Sequence, residues 1–205
     1  MSKSHPFHVR RRYPRALAIA SALLALASPA APAAAQNAPR MMMATLPASF
    51  ERASSVVERL RARDLLVPVE GISASQLHDT YNDSRSGGRV HDAIDIHAPR
   101  GTPVLATADG VILKLHQGER GGNSLYQLDD DGRTRYYYAH LDRYAVGINQ
   151  GVRVAKGQVI GYVGDTGNAQ PGDYHLHFAI AILHSVSRWW GGDNVNPYDV
   201  FHGGN

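Results

Sequence analysis

The chain has 205 residues and contains no cysteine. The absence of cysteine excludes disulfide bonds, thiolate metal ligands, cysteine nucleophiles and a membrane anchor attached to a lipid-modified cysteine. The absence of disulfide bonds does not prevent folding, because even a domain of about 170 residues buries an adequate hydrophobic core. Any metal ion must be bound by histidine and carboxylate side chains, a combination that suits zinc.

The N-terminal apolar run is too short to span a bilayer. Ala16–Ala27 has 12 residues, whereas a transmembrane helix needs about 20. Basic residues precede this run and Ala33-Ala34-Ala35 follows it, which is the order found in secretory signal peptides. We predict a signal peptide over residues 1–35, export to the periplasm or the medium, and no membrane span in the processed chain.

Basic residues are not in excess outside the predicted signal peptide. That segment holds five of the 21 Lys and Arg residues and none of the 18 Asp and Glu residues, which leaves 16 basic against 18 acidic side chains and a net charge of −2. A domain that binds nucleic acid carries a basic patch, and none is evident after processing. We therefore predict no nucleic-acid partner.

The first part of the processed chain changes character at residue 47. Residues 36–46 have no periodicity and are predicted to be a linker. Residues 47–66 are predicted to form an amphipathic helix that docks on the following domain, and Pro68 prevents its continuation. Its apolar residues recur at spacings of three and four: Phe50, Ala53, Val57 and Leu60.

Residues 67–205 are predicted to form one domain, rich in short β-strands. Gly- and Asp-rich turns separate the strands, and this pattern predicts a mainly β fold, a compact antiparallel β-sandwich or open barrel. Residues 71–90 are predicted to be a long loop that forms one wall of a groove. The predicted strands are Val104–Thr107, Gly110–His116, Ser124–Leu128, Thr134–His140, Val159–Val163 and His175–Leu183.

Two short motifs carry metal-ligating side chains. His91 and Asp95 are four residues apart, and His175 and His177 are two residues apart. On a strand the latter two side chains point to the same face. One of them, joined by His91 and Asp95, would make a site with three ligands and one open position, which is typical of catalytic zinc.

Further motifs follow in a fixed order along the chain. They are Arg89–Val104 with Ala108-Asp109-Gly110, then Tyr138–Leu141, then Gly157–Gly161 with Gly164–Ala169, His175–Phe178 and Asn196-Pro197. These blocks and their order resemble the lysostaphin-like peptidoglycan endopeptidases over residues 67–200. Ala93 departs from the family pattern, which usually has glycine between the two ligands of the first block; the change affects backbone detail and no ligand.

This resemblance implies one zinc ion per chain and a role for each matching residue. His91, Asp95 and His177 would be the zinc ligands, and His140 and His175 would be the two catalytic histidines. The implied reaction is hydrolysis of a peptide bond in bacterial peptidoglycan by a zinc-activated water molecule. We expect His175 to act as the general base or to orient the water, and His140 to stabilise the oxyanion or protonate the leaving amine; these roles can be exchanged.

The substrate and the partners stay open at this point. Peptidoglycan stem peptides are the expected substrate, with the D-Ala to diaminopimelate cross-link favoured in a periplasmic setting; glycyl bridges and protein substrates are alternatives. A second hypothesis is a non-catalytic regulator of a cell-wall amidase on the same fold, because fold does not fix function. The filled ligand set favours the enzyme, and other wall hydrolases are candidate partners.

Other histidines have simpler interpretations. His97 has the same strand parity as Asp95 and is predicted to be a bystander. Four more lack a partner at a useful spacing and are predicted to be solvated: His78, His116, His184 and His202.

Aromatic residues cluster in three places. Tyr136–Tyr138 are predicted to pack in the core, with one of them able to flank a groove, and Tyr174 is a candidate groove residue because it precedes His175. Trp189 and Trp190 are predicted to form a small packed corner. In the loop before His91, Asn82 and Arg85 are weak candidates for substrate contact.

Overall fold

The computed structural model describes residues 48–185 and 187–203. The predicted signal peptide, residues 1–35, and the predicted linker, residues 36–46, lie outside the described residues. Within the described ranges, the structure contains no helix that is both long and apolar enough to cross a membrane.

Two helices flank a succession of eleven strands in the described ranges. Helix α1 is Ala48–Arg61, a 3₁₀ turn follows at Ala74–Gln76, and α2 is Pro197–Phe201. The strands are β1 Ser84–Arg85, β2 Arg89–Val90, β3 Ile94–His97, β4 Pro103–Leu105, β5 Gly110–Gly118, β6 Gly122–Asp129, β7 Thr134–Tyr144, β8 Arg153–Val154, β9 Val159–Val163, β10 His175–Ile182 and β11 Asp193–Val195.

Nine of these strands form one antiparallel sheet. Its main order is β11-β10-β7-β6-β5-β8; β3 pairs with β10, and β9 pairs with both β7 and β4. The sheet stays open and does not close into a barrel. The prediction of a mainly β, antiparallel fold is therefore confirmed, with an open sheet. Each of the six predicted strands is present. The strands that the sequence did not predict are only two to four residues long, too short to show a period of two.

Strands β7 and β10 contribute the largest side chains of the core. Tyr136 and Tyr138 on β7 and Phe178 on β10 are fully buried. The Tyr136 hydroxyl donates to the buried Asp129 carboxylate at 2.5 Å, and the Tyr138 hydroxyl donates to Gln127 Oε1 at 2.7 Å. Each buried hydroxyl therefore has an acceptor, which avoids the desolvation cost of an unpaired polar group.

Helix α1 docks on this domain through its last turn. Leu60 is buried, the Arg61 guanidinium donates to the carbonyl oxygen of Asp199 at 2.7 and 2.9 Å, and Arg63 pairs with Asp129. The helix ends at Arg61, before the predicted boundary at residue 66. The chain turns at Asp64, which has a φ of 52°, and then runs along the sheet, where the Leu66 amide donates to the Thr107 carbonyl at 2.9 Å.

A glycine at the start of β6 allows this strand to touch the loop that contains Thr166. Gly122 has a φ of 58°, and a Cβ atom there would overlap Thr166 and the backbone nitrogen of Gly167. We expect Gly122→Ala to lower the free energy of unfolding by about 2 kcal/mol or more, because a strained φ and a steric overlap add. Denaturant unfolding followed by circular dichroism measures this loss.

Gly132→Ala is the matched control for that substitution. Gly132 has a φ of 69°, but a Cβ atom there has no neighbour within 4 Å. Gly132→Ala should lower the free energy of unfolding by about 1 kcal/mol, from backbone strain alone. Equal losses for the two variants would show that the contact between the strand and the loop carries no additional strain.

Candidate metal centre

The register of β3 and β10 brings the sequence-predicted ligands together. Asp95 and His177 are directly opposite each other in this antiparallel pair. His91 lies three residues before β3 and four residues before Asp95 in the sequence. Its side chain is buried. On its other side β10 pairs with β7, where His177 is opposite Ala139, next to His140.

Three ligand atoms converge in a small triangle. His91 Nε2 is 2.9 Å from His177 Nδ1 and 3.1 Å from Asp95 Oδ1, and His177 Nδ1 is 3.2 Å from Asp95 Oδ1. Each of these three residues therefore offers one donor atom to a common point. The arrangement can hold a metal ion with two nitrogen ligands and one carboxylate oxygen.

The triangle fits zinc in its size and in its chemistry. Ligand atoms about 2.0–2.1 Å from a tetrahedral zinc ion are about 3.3 Å apart, close to the observed edges of 2.9–3.2 Å. Two imidazoles and a carboxylate are the ligand types of catalytic zinc sites, which keep their fourth position open.

Neighbouring groups orient two of the three ligands. The Nδ1 of His91 lies 2.9 Å from the Thr80 carbonyl, so the proton belongs on Nδ1 and Nε2 keeps its lone pair. The Thr80 hydroxyl accepts the amide hydrogen of Asp95 at 3.1 Å. Arg85 donates to Asp95 Oδ2 at 2.6 Å, which leaves Oδ1 for the triangle.

The carboxylate of Asp95 stays ionised in this environment. Burial acts to raise its pKa, but the interactions with His177 and His91 outweigh burial and hold the pKa well below its usual range. Burial lowers the pKa of His177. An ionised carboxylate and neutral imidazoles are the protonation states that bind metal.

His140 and His175 lie beside the triangle. Their ring centroids are 4.9 Å apart, and the His140 ring is 5.7 Å from the His177 ring. His140 Nδ1 lies 2.7 Å from the Thr166 carbonyl, and His175 Nδ1 lies 2.8 Å from the Asp173 carbonyl. Both rings therefore place the proton on Nδ1 and keep the Nε2 lone pair free.

The backbone of His140 is in an unusual conformation. Its φ is 59°, at a bulge where β7 gains one residue relative to β6, and its amide donates to the Gly121 carbonyl at 2.9 Å. Strained backbone of this kind clusters at functional sites. Burial lowers the pKa of His140 to about 4, so the ring is neutral at neutral pH.

The triangle and both histidines open into one cleft of about 600 Å³. Arg85 and Arg89 line it, so the 71–90 segment forms a wall of the groove, as predicted.

Tyr137 also lines the cleft, whereas its two tyrosine neighbours are buried. Tyr174 is not among the lining residues: it is half-buried and packs on the core, which corrects its candidate role. Asn82 is exposed and lies outside the lining.

Sequence reasoning missed several residues of this cleft. Arg120 lines it from the turn between β5 and β6, and Asp173 lines it from the turn before β10. Asn168, Ala169 and Gln170 complete that side. The sequence signal for this side of the cleft was the Gly164–Ala169 block of the family resemblance, which lies close to the histidines of β10 in the chain.

The remaining histidines and tryptophans are mostly peripheral. His78, His184 and His202 are exposed, as predicted, and His97 lies outside the triangle but pairs with Asp173. The prediction for His116 was wrong, because its ring is half-buried near Trp189, with 5.6 Å between ring centroids. The packed corner exists in part: Trp189 also packs on Tyr126, but Trp190 is 55% exposed.

An open antiparallel sheet with a His-Asp-His triangle in a cleft is the kind of site found in metallopeptidases. Comparison with known protein families leads to the same class. The model of peptidase family M23 matches residues 89–197, more than half of the chain. The chain belongs to peptidase family M23. The lysostaphin-like resemblance is confirmed.

Two characterised relatives and one solved structure show how far the similarity extends. The L-Ala–D-Glu endopeptidase of Bacillus subtilis is 36% identical over 126 residues, 58% of this chain and 37% of that protein. The DD-carboxypeptidase/endopeptidase Mpg of Neisseria meningitidis is 38% identical over 113 residues, 55% of this chain and 23% of that protein. The structure of the antimicrobial peptidase lysostaphin from Staphylococcus simulans has a TM-score of 0.51 and 28% identity, covering 62% of this chain and 48% of that one. This chain spans less than half the length of each.

Proposed function

We propose that this protein is an exported zinc metalloendopeptidase that hydrolyses peptide cross-links of bacterial peptidoglycan. The convergence of three ligand atoms within 2.9–3.2 Å, beside His140 and His175 in one cleft, is the observation that carries this proposal. The two relatives, both named as endopeptidases, support it. Export follows from the predicted signal peptide, since peptidoglycan lies outside the cytoplasm.

His91, Asp95 and His177 are the proposed zinc ligands, with one ion per chain. When bound, zinc supplies positive charge that polarises a peptide carbonyl and increases the acidity of a water molecule. Arg85 holds the second oxygen of Asp95, so the carboxylate presents one oxygen to the ion. Thr80 fixes the ring of His91 in the tautomer that the ion requires.

His175 and His140 are the proposed proton-transfer residues. His175 Nε2 faces the triangle, 3.8 Å from Asp95 Oδ1, and is placed to take a proton from the attacking water. His140, after receiving a proton at Nε2, donates a hydrogen bond to the oxyanion or a proton to the leaving amine. The Asp173 and Thr166 carbonyls hold both rings in orientation during these transfers.

The charge of the cleft favours a substrate that carries carboxylates. Among the described residues, the Arg89 side chain donates only to Ser86, and Arg120, which also lines the cleft, makes no ion pair. Stem peptides that contain diaminopimelate carry free carboxylates, whereas glycyl bridges carry none. We therefore propose the D-Ala to diaminopimelate cross-link as the bond that is cleaved, because guanidinium groups bind carboxylates strongly.

Arg120→Gln tests this choice of substrate. It should raise KM for a diaminopimelate cross-linked dimer about tenfold, because a lost charged hydrogen bond costs about 1.5–3 kcal/mol. The kcat value should change little. Arg153→Gln is the control, since Arg153 is exposed and pairs with Asp130 on another face. Equal KM values for the two variants would contradict the proposed role of Arg120.

The identity of the cleaved bond tests the proposal as a whole. Purified protein is incubated separately with a diaminopimelate cross-linked dimer, a pentaglycine-bridged dimer and an unfolded protein. Mass spectrometry of the products should show the first substrate split into two stem peptides. Cleavage of only the unfolded protein would replace the proposal with a general protease, and cleavage of only the glycyl bridge would reject the carboxylate argument.

A further inference from the structure

A second cluster of metal-ligating side chains lies beside the first. His97, Asp173 and His175 each place one ligand atom within 4.8 Å of the other two. His97 Nε2 is 3.3 Å from Asp173 Oδ1, and His175 Nδ1 is 3.8 Å from Asp173 Oδ2. Two imidazoles and one carboxylate again make a donor set that suits zinc.

The sheet holds this second cluster in place. His97 and His175 are directly opposite each other in the antiparallel pair of β3 and β10, with ring centroids 5.3 Å apart. Asp173 lies in a turn in which its amide donates to the Gln170 carbonyl at 2.9 Å. The side chains of His97 and Asp173 are 62% and 49% exposed, so an ion can reach them from solvent.

His175 is the residue that joins the two clusters. Its Nε2 faces the first cluster, 3.8 Å from Asp95 Oδ1. Its Nδ1 faces the second, close to both the carbonyl and the carboxylate of Asp173. One imidazole thus presents one nitrogen to each side.

We propose that His97, Asp173 and His175 form a second, inhibitory zinc site that is weaker than the first. The exposed side chains lose rotamer freedom when they bind an ion, which lowers the affinity. Coordination uses the Nδ1 lone pair of His175, so the proton that Nδ1 shares with the Asp173 carbonyl moves to Nε2. The Nε2 atom then becomes a donor and no longer accepts a proton from water. This inhibition rests on the proposed role of His175 as the base.

Zinc stoichiometry tests the site without any measurement of turnover. The full-length protein is dialysed against increasing zinc chloride, and bound zinc is measured by elemental analysis. Wild type should bind two ions in two separable steps, and His97→Ala should lose only the weaker one. His184→Ala is the control, because His184 pairs with Asp193 at 3.0 Å on an exposed surface; it should retain both ions.

A single ion in wild type, or equal loss of the second ion in the His97 and His184 variants, would overturn the proposed site.

Cleavage of a cross-linked dimer by the protein with one ion bound and with two ions bound then tests inhibition. The second ion should lower the wild-type rate about 10²-fold or more, the scale of losing a general base. Addition of the same zinc should change the rate of His97→Ala by less than about twofold, because the variant lacks the second site. An unchanged wild-type rate with two ions bound would overturn the inhibitory role. An inactive one-ion protein would reject the peptidase proposal, while the stoichiometry would still decide whether the site exists.

Discussion

His177→Ala is expected to remove both the bound zinc and the activity. His177 supplies one corner of the ligand triangle, 2.9 Å from His91 Nε2 and 3.2 Å from Asp95 Oδ1. Without it two protein ligands remain, and two are too few for a stable catalytic zinc site. The content of tightly bound zinc should fall from one ion to none after dialysis against zinc-free buffer. The rate of cross-link cleavage should fall by about 10³-fold or more, because the ion and its effects on carbonyl and water are lost together.

His78→Ala is a suitable control for this loss, because His78 is exposed and lies outside the cleft. It should keep its zinc and its activity. Circular dichroism of both variants checks that the sheet is intact, since His177 lies in a central strand. A His177→Ala protein that retained one tightly bound zinc ion would show that the metal is held elsewhere.

His140→Ala is expected to separate metal binding from turnover. The His140 ring is not part of the triangle, and its Nδ1 interacts with the Thr166 carbonyl at 2.7 Å. The variant should keep one zinc ion with nearly unchanged affinity. Its kcat should fall by about 10²–10⁴-fold, the usual contribution of a positioned proton donor or acceptor.

The backbone at His140 requires a second variant. His140 has a φ of 59°, a conformation that costs alanine about 1–2 kcal/mol but that asparagine adopts more readily. His140→Asn should therefore fold more stably than His140→Ala and be equally inactive. A His140→Asn protein with wild-type turnover would remove this residue from the mechanism, and a loss of zinc from both variants would assign it a structural role.

The sequence predicted the long strands well, since each carries a run of β-branched or aromatic residues between glycine-rich turns. Val159–Val163 matches to the residue. The end of α1 was less predictable, because it depends on where the chain must turn to reach Thr107. Strands such as Arg153–Val154 exist only because β5 offers them a partner, so no local pattern marks them.

The five site residues followed from a resemblance of motifs, and the structure places them together around one cleft. Their roles remain predictions. The carbonyl groups of Thr80, Thr166 and Asp173 could not be predicted, because any residue type supplies a carbonyl and only the fold decides which one meets a histidine. Arg120 was missed for a similar reason: nothing in its local sequence distinguishes it from a solvated turn residue.

Digestion of purified peptidoglycan tests the central claim most directly. The protein is incubated with sacculi in the presence of a chelator, after removal of the chelator, and after addition of zinc, and released muropeptides are identified by mass spectrometry. The proposed function predicts that cross-linked dimers are lost and free stem peptides appear, that the chelator abolishes this change, and that zinc restores it. Unchanged dimers from a protein that holds no zinc would contradict the account and favour a non-catalytic role on the same fold.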